Sequence, residues 1–366
     1  MNRMSLDNNC KITIIETLAD WSGMSKEWND LLGQSSSNTI FLTWEWLVAW
    51  TETFLGSDRK LFILAVYEGN QFIGAAPWCI RHVKYFGCSM RIIEFLGIPE
   101  AASDYLDVFA KRGKEKEVAH QIYHFLQRAT SVWDSMALRD IPSDSLFLLH
   151  FMNKMNEEGK HTELGSGPYS PSVSLPQTAD VFMAQLSSNR RQQYSRHLRI
   201  LRRSGEVTHR IHLSGDVSAV LKEFYRLYEQ KWGDAKQLFR FLEMFIVRSE
   251  GKGLIQLDLL NVGGRDIAGL LHLRYDNTLL MYLMGVDHSF DRGISIGNIV
   301  VGLSIEKAIA AGFSRYDFLR GDEDYKFHWA NDGKRAVRFS HYGKKAVPLM
   351  CMTEQYVKSI VKVLTR

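Results

Sequence analysis

The stretch FSRYDFLRGDEDYKFHWA, residues 313–330, concentrates the groups best able to do chemistry. Asp322, Glu323 and Asp324 stand beside Tyr325, Lys326, His328 and Trp329. A carboxylate within hydrogen-bond reach of an amine or hydroxyl can serve as its general base. A neighbouring cation can stabilise an oxyanion or hold a substrate carboxylate or phosphate. The candidate bases are therefore Asp322 and Glu323, the candidate cation is Lys326, and Tyr325 is a candidate proton donor. Plain turn acids, a solvated lysine and a packing tyrosine are the alternatives, and His328 reads as a satisfied histidine. Asp317 alternates with Tyr316 and Phe318, so its side chain leaves the strand on the opposite face from the two rings. It is read as a buried structural anchor, with a cleft acid as the alternative. Asp104, in SDYLD, is either a strand-start cap or another cleft acid.

A second constellation is the loop containing Arg292, Gly293, Ser295 and Gly297, which feeds a helix beginning near Asn298. The free N–H groups of a first helical turn, with the helix dipole, favour an anion. The loop is either an ordinary cap or a pyrophosphate site. A third is SSNRRQQYSRHLRILRRSG, residues 187–205, where Tyr194, Leu198 and Leu201 give one packing face and six arginines most of the rest. It is a solvated helix, a phosphate clamp or an RNA contact. No zinc, helix-turn-helix or RNA-binding strand motif accompanies it, so nucleic acid is not expected as the main partner.

These groups are positioned by elements that occur twice. Residues 61–78 and 254–271 each read as a β-hairpin, with turns at Glu68-Gly69-Asn70 and Val262-Gly263-Gly264. Strand, loop, helix and strand follow each time: 105–110, 117–129 and 134–141, then 278–286, 298–312 and 315–321. Each set predicts a βαβ unit with parallel strands. The helix over 298–312 shows an apolar stripe of Ile299, Val300, Leu303 and Ala310, with Gly312 as its stop. The order implies duplication into residues 1–165 and 166–366, divided near GSGPYSPSVSLPQ (165–177), which reads as a loop or exposed extended segment. The fold class is α/β with mixed sheets. Trp44, Trp46 and Trp50 read as core of an early helix, with sugar stacking as the alternative.

The totals exclude several classes. A length of 366 residues, 45% hydrophobic, supports two packed domains, and a net charge of +4 does not demand a polyanion. Cys10, Cys79, Cys88 and Cys351 form no CxxC pair, so no metal cluster is expected and a reducing, cytoplasmic setting fits. No secretory signal and no membrane span are expected.

The second half resembles the GNAT acyltransferase fold, and specifically the CelD-like, cellulose-biosynthesis type of acetyltransferase, related to Fem-type aminoacyl transferases. SDYLDVF (103–109), the basic helix, FYRLYEQKW (224–232) and the run from YLMGVDHSFDRGISIGN to YDFLRGDEDYKFHWA carry the likeness. Relatives usually have Ser-Pro-Gly where Ser295-Ile296-Gly297 stands here. The resemblance implies tandem GNAT-like domains and acyl transfer from acetyl-CoA or another acyl-CoA to an amine or hydroxyl. It implies a pantetheine arm in the gap between strands 278–286 and 315–319, and a pyrophosphate on Arg292, Gly293, Ser295, Ile296, Gly297 and Asn298. In such a reaction Asp322, Glu323 or Asp104 would be the base. A saccharide or other precursor of the cell envelope or an exopolysaccharide would be the acceptor. The first domain lacks the glycine pattern, so its cofactor site is expected to be degenerate. The alternatives are a Fem-type transferase using aminoacyl-tRNA, for which the arginine helix is the motive, and a non-catalytic GNAT-like scaffold.

Overall fold

The structure is a computed structural model that describes residues 10–85, 88–213, 215–290 and 293–343. It divides into two compact units, one running through Gly167 and resumed from Ala336, the other Pro168–Arg335.

The first unit begins with β1 (Cys10–Ile15), α1 (Leu18–Ser22), α2 (Ser25–Gly33) and α3 (Trp44–Phe54). Then come β2 (Arg59–Leu61), β3 (Ile63–Glu68), β4 (Gln71–Ala76), β5 (Trp78–Tyr85), β6 (Cys88–Phe95) and β7 (Phe109–Ala110). It continues through α4 (Glu115–Arg128), β8 (Ser135–Pro142) and α5 (Leu146–Glu157). One sheet has the order β1-β3-β4-β7, and a second contains the run β8-β6-β5-β2. The expected hairpin is present as antiparallel β3 and β4. Trp46 and Trp50 are fully buried and Trp44 nearly so, which places all three in the core. Thr43 caps their helix by accepting from the Trp46 N–H.

The first expected βαβ unit differs. Only Phe109 and Ala110 of 105–110 form a strand, and it pairs with β4, whereas β8 runs parallel to β6. The cause is local. Ala102 and Tyr105 take positive φ of 44° and 54°, which breaks a ladder. The buried Asp107 carboxylate accepts from Ser37 Oγ, Ser145 Oγ and the Val108 N–H, each at 2.8 Å. Side-chain bonds to this segment replace strand pairing.

The second unit opens on β9 (Glu163–Ser174), which crosses the border between units, then α6 (Ala179–Gln185), α7 (Ser188–Arg203), β10 (Val207–Leu213), α8 (Gly215–Trp232) and α9 (Lys236–Arg248). Next are β11 (Ile255–Val262), β12 (Arg265–Tyr275), β13 (Thr278–Val286), α10 (Ile296–Ala310), β14 (Arg315–Asp317) and α11 (Asp324–Trp329). The terminal strand β15 (Asp332–Tyr342) returns to the first unit, where its residues from Ala336 pair antiparallel with β8.

In the second unit β11 to β13 form an antiparallel meander, joined by the tight turns Gly263-Gly264 and Asp276-Asn277, and β10, separated from β11 by α8 and α9, pairs antiparallel on its outer side. β14 lies parallel to β13, as the second βαβ unit requires. The segment 165–177, expected as a loop or an exposed extended segment, is extended through Ser174 as part of β9, but it is paired antiparallel to β14 and buried from Ser170 to Val173. Its prolines are tolerated because they serve as acceptors and spacers: the Pro171 carbonyl takes the Phe318 N–H at 2.9 Å.

Helices cover both faces of this sheet. On β12, Ala268 and Leu270 join the core under α10, while a side chain on Gly269 would strike Phe224 of α8. The stripe expected on α10 is also corrected. Val301, Gly302, Ser304 and Ile305 are buried as well, and Ala310 is exposed, because α10 is enclosed on nearly all sides. Gly302 is what permits this, since a Cβ there would lie 2.4 Å from the Tyr194 ring of α7 and 2.8 Å from Trp329 of α11.

Candidate functional site

The site grows from a parting of strands. β13 and β14 pair through Thr278–Arg315, Leu279–Tyr316 and Leu280–Asp317, and the ladder ends there. β13 runs on to Val286, held by β12 on its other side. The chain after Asp317 leans the other way, donating from Phe318 and Gly321 to the carbonyls of Pro171 and Tyr169 on β9. The β12–β13 register also slips at this level: Leu271 faces Leu283 but His272 faces Met281. A bulge of this kind bends a strand and ends regular pairing beside a site.

Asp317 fixes the departure. It is buried, and its Oδ1 accepts from the Leu319 N–H at 2.8 Å, with Leu319 at a φ of +55°. A non-glycine residue in that region is held only by its surroundings.

The turn that follows carries most of the candidate groups. Asp322 is exposed, and Glu323 is 43% exposed with its Oε2 3.0 Å from Lys326 Nζ. Lys326 is buried and folds back beneath the turn, donating to the carbonyls of Leu319 at 3.3 Å and of Arg320. Its three N–H groups thus meet three acceptors of its own turn. Gly321, at a φ of +136°, makes the fold-back possible: a Cβ would lie 2.1 Å from Glu323 Oε2. Tyr325 packs on the core, and burial, with Glu323 beside it, raises its phenol pKa. His328 is pushed down by burial, with Arg190 and His197 contributing.

The second part is the start of α10. Its N-cap Ser295 makes no side-chain capping bond, and its first turn has no acidic residue. The Ser295 N–H points to His197 Nδ1 of α7 at 3.4 Å, which keeps that nitrogen an unprotonated acceptor. Gly293 takes a φ of +62°. Ile296 is buried in the core, so the residue in place of the usual proline serves as packing. A Cβ on Gly297 would meet only Met284, at 3.5 Å or more, so its space is open. Among the described residues Asn298 Oδ1 is buried with no hydrogen-bond partner. Arg292 lies outside the described residues. An acid-free helix start with a positive dipole end suits an anion, and Asn298 Oδ1 is an acceptor open to a donor from outside the chain.

The equivalent helix of the first unit differs in electrostatics. α4 has Glu115 and Glu117 in its first turn. Glu115 Oε2 takes the Gly113 N–H at 2.7 Å, so the chain's own carboxylate sits where an anion would. Asp104 is buried in this unit.

Sequence reasoning missed three features. Asp107 is pushed up to about 7 by burial, against the donors from Ser145, Ser37 and Val108. His197 meets the start of α10 although it looks like one more basic residue of α7. A buried polar network lies beneath α10: His272 Nε2 is 2.8 Å from Tyr316 Oη and 3.2 Å from Ser304 Oγ. Asp258 accepts from Gln256 at 2.8 Å and stands 3.3 Å from His209. Burial lowers His272 to about 4. Single polar residues in apolar strands give no sign that they converge.

Residues 188–327 match the acetyltransferase (GNAT) domain family. Among solved structures the chain is similar to FemX, at 11% identity and a TM-score of 0.60, covering 93% of this chain and 99% of that one. It is similar to L-PGS from Bacillus licheniformis, at 11% identity and a TM-score of 0.53, covering 89% and 94%. It is also similar to the C-terminal domain of a putative lysylphosphatidylglycerol synthetase from Agrobacterium fabrum, at 10% identity and a TM-score of 0.52, covering 90% and 95%. No protein of curated function matches the sequence significantly. The chain therefore has a mixed α/β fold of two compact units, and residues 188–327, within the second, match the acetyltransferase (GNAT) domain family.

Proposed function

We propose that this protein is a cytoplasmic, acyl-CoA-dependent N- or O-acyltransferase, with acetyl-CoA as the simplest donor. The observation that carries the reading is the parting of β13 from β14 beside the acid-free start of α10. In this reading β13 beyond Leu280 pairs with the amides of the donor's pantetheine arm, and the residues from Gly293 to Asn298 receive its pyrophosphate. Asn298 Oδ1 accepts a hydrogen bond from the donor. The first unit holds no donor, because Glu115 already occupies the start of α4.

Attack on a thioester needs a neutral amine or an activated hydroxyl. Asp322 and Glu323 are the proposed bases, as the exposed carboxylates of the turn, and Asp104 is the alternative. The proton goes from the acceptor to the carboxylate, the acyl carbon gains the acceptor atom, and the sulfur leaves with the bonding pair. Tyr325, a phenol protonated at neutral pH, is the proposed proton donor to that sulfur. Lys326 gives charge to the turn and holds its shape, and Asp317 anchors it. The likeness to CelD-like sequences points to an acceptor among precursors of the cell envelope or an exopolysaccharide.

A second reading, an aminoacyl donor delivered on tRNA, is favoured by α7. Its sixteen residues include six arginines and no acid, and four of those arginines are exposed. A thiol-release assay with acetyl-CoA and amino-sugar or polyol acceptors tests the first reading. Release is expected from the wild type and is lost when Asp322→Asn and Glu323→Gln are combined. Tight tRNA binding with no thiol release from any acyl-CoA would favour the second.

A further inference from the structure

The helices α8 and α9 line an open groove of about 520 Å³ on the second unit. Its floor is aromatic, with Tyr225 and Phe239 set edge to face, their centroids 4.7 Å apart. Lys222 and Arg226 line it from α8, and Lys236 and Arg240 from α9. Each pair is four residues apart on one helix, so like charges are stacked within each wall as well as across the groove. Such like-charged spacing destabilises a helix unless something neutralises it. Lys236 approaches Asp234 at 3.5 Å, but among the described residues Lys222, Arg226 and Arg240 make no ion pair. Glu223 also lines the groove, and among the described residues its buried Oε2 has no hydrogen-bond partner. An orphaned carboxylate oxygen requires a donor, and the described residues supply none. With Glu243 also in the lining, the cations remain in the majority.

The groove therefore asks for three things at once: anionic groups for the paired cations, a flat apolar body for the ring floor, and an N–H donor for Glu223. Its volume lies within the range of small-molecule sites. A free amino acid fills too little of it, and a fatty acid has no N–H to offer. We propose that the groove between α8 and α9 binds a nucleotide, with the base on Tyr225 and Phe239, its N–H edge on Glu223 Oε2, and its phosphates between Arg226 and Arg240. This goes beyond the acyl-transfer reading and does not depend on it.

Isothermal titration of the full chain with ADP and with pyrophosphate tests the assignment. ADP should bind the wild type, and the double variant Arg226→Ala, Arg240→Ala should bind it at least tenfold more weakly. Both arginines are exposed, so the fold should persist, which circular dichroism checks. Glu223→Ala should weaken ADP several-fold and leave pyrophosphate binding unchanged. Gly297→Trp, at the start of α10, should leave ADP binding intact. The assignment is overturned if ADP does not bind at millimolar concentration, or if the double variant binds it as well as the wild type. Loss of ADP binding in Gly297→Trp would also overturn it, since the ligand would then sit at α10.

Discussion

Lys326 is the residue whose surroundings say most about its task. A buried ammonium shared among the Leu319 carbonyl, the Arg320 carbonyl and Glu323 keeps the turn closed and so fixes where Asp322 stands. Replacing it strands those acceptors, and charged hydrogen bonds of this kind contribute about 1.5–3 kcal/mol. Lys326→Ala should therefore lower both stability to urea and turnover. Unchanged turnover would remove Lys326 from the site altogether. His272 makes a different prediction. Its pKa is about 4 in the folded chain and near 6.5 unfolded, so the unfolded state binds the extra proton. Stability is complete above pH 6.5 and is lost as pH falls towards 4. Wild type should lose on the order of 2 kcal/mol between pH 7.5 and 5 that His272→Gln does not lose. Equal slopes in urea titrations of the two would count against a neutral buried imidazole.

At the scale of elements, α10 joins the packing of the second unit to its site. Gly302 lets Tyr194 and Trp329 close over the helix, and Tyr194 Oη is tied to Glu306 at 3.0 Å. Gly302→Ala should cost about 1–3 kcal/mol through overpacking. Gly297→Ala, five residues earlier on the same helix, should cost far less, because its Cβ finds only ordinary contact. Thermal melts of the two variants check the contrast, and equal losses would contradict it. The elements also show where sequence patterns were sufficient. The hairpins and the β13–α10–β14 unit were legible because their turn residues adjoin them in the chain. The segment 105–110 was not, because Asp107 is held by Ser37 and Ser145, 70 and 38 residues away. β9 was legible only as one of two alternatives, loop or extended, because the pairing that settles it comes from β14, about 140 residues on. In the site, the acids, Lys326 and the loop before α10 were visible as types. That Lys326 turns under its own loop, and that Ser295 meets His197, depends on long-range packing.

For the whole molecule, both units carry an antiparallel hairpin and a helix that follows it, α4 in one and α10 in the other, and the two helices start with different electrostatics. α4 begins with its own carboxylates and α10 with none, and the proposed placement of the donor in the second unit rests on that contrast. Among the described residues no helix is long and apolar enough to cross a membrane, and no cluster of residues could hold a metal ion. The most direct test is isothermal titration of acetyl-CoA into the wild-type chain and into Gly297→Trp. The account predicts one site of micromolar affinity in the wild type, lost in Gly297→Trp while the melting temperature holds. No binding to the wild type, or undiminished binding to the variant, would contradict it.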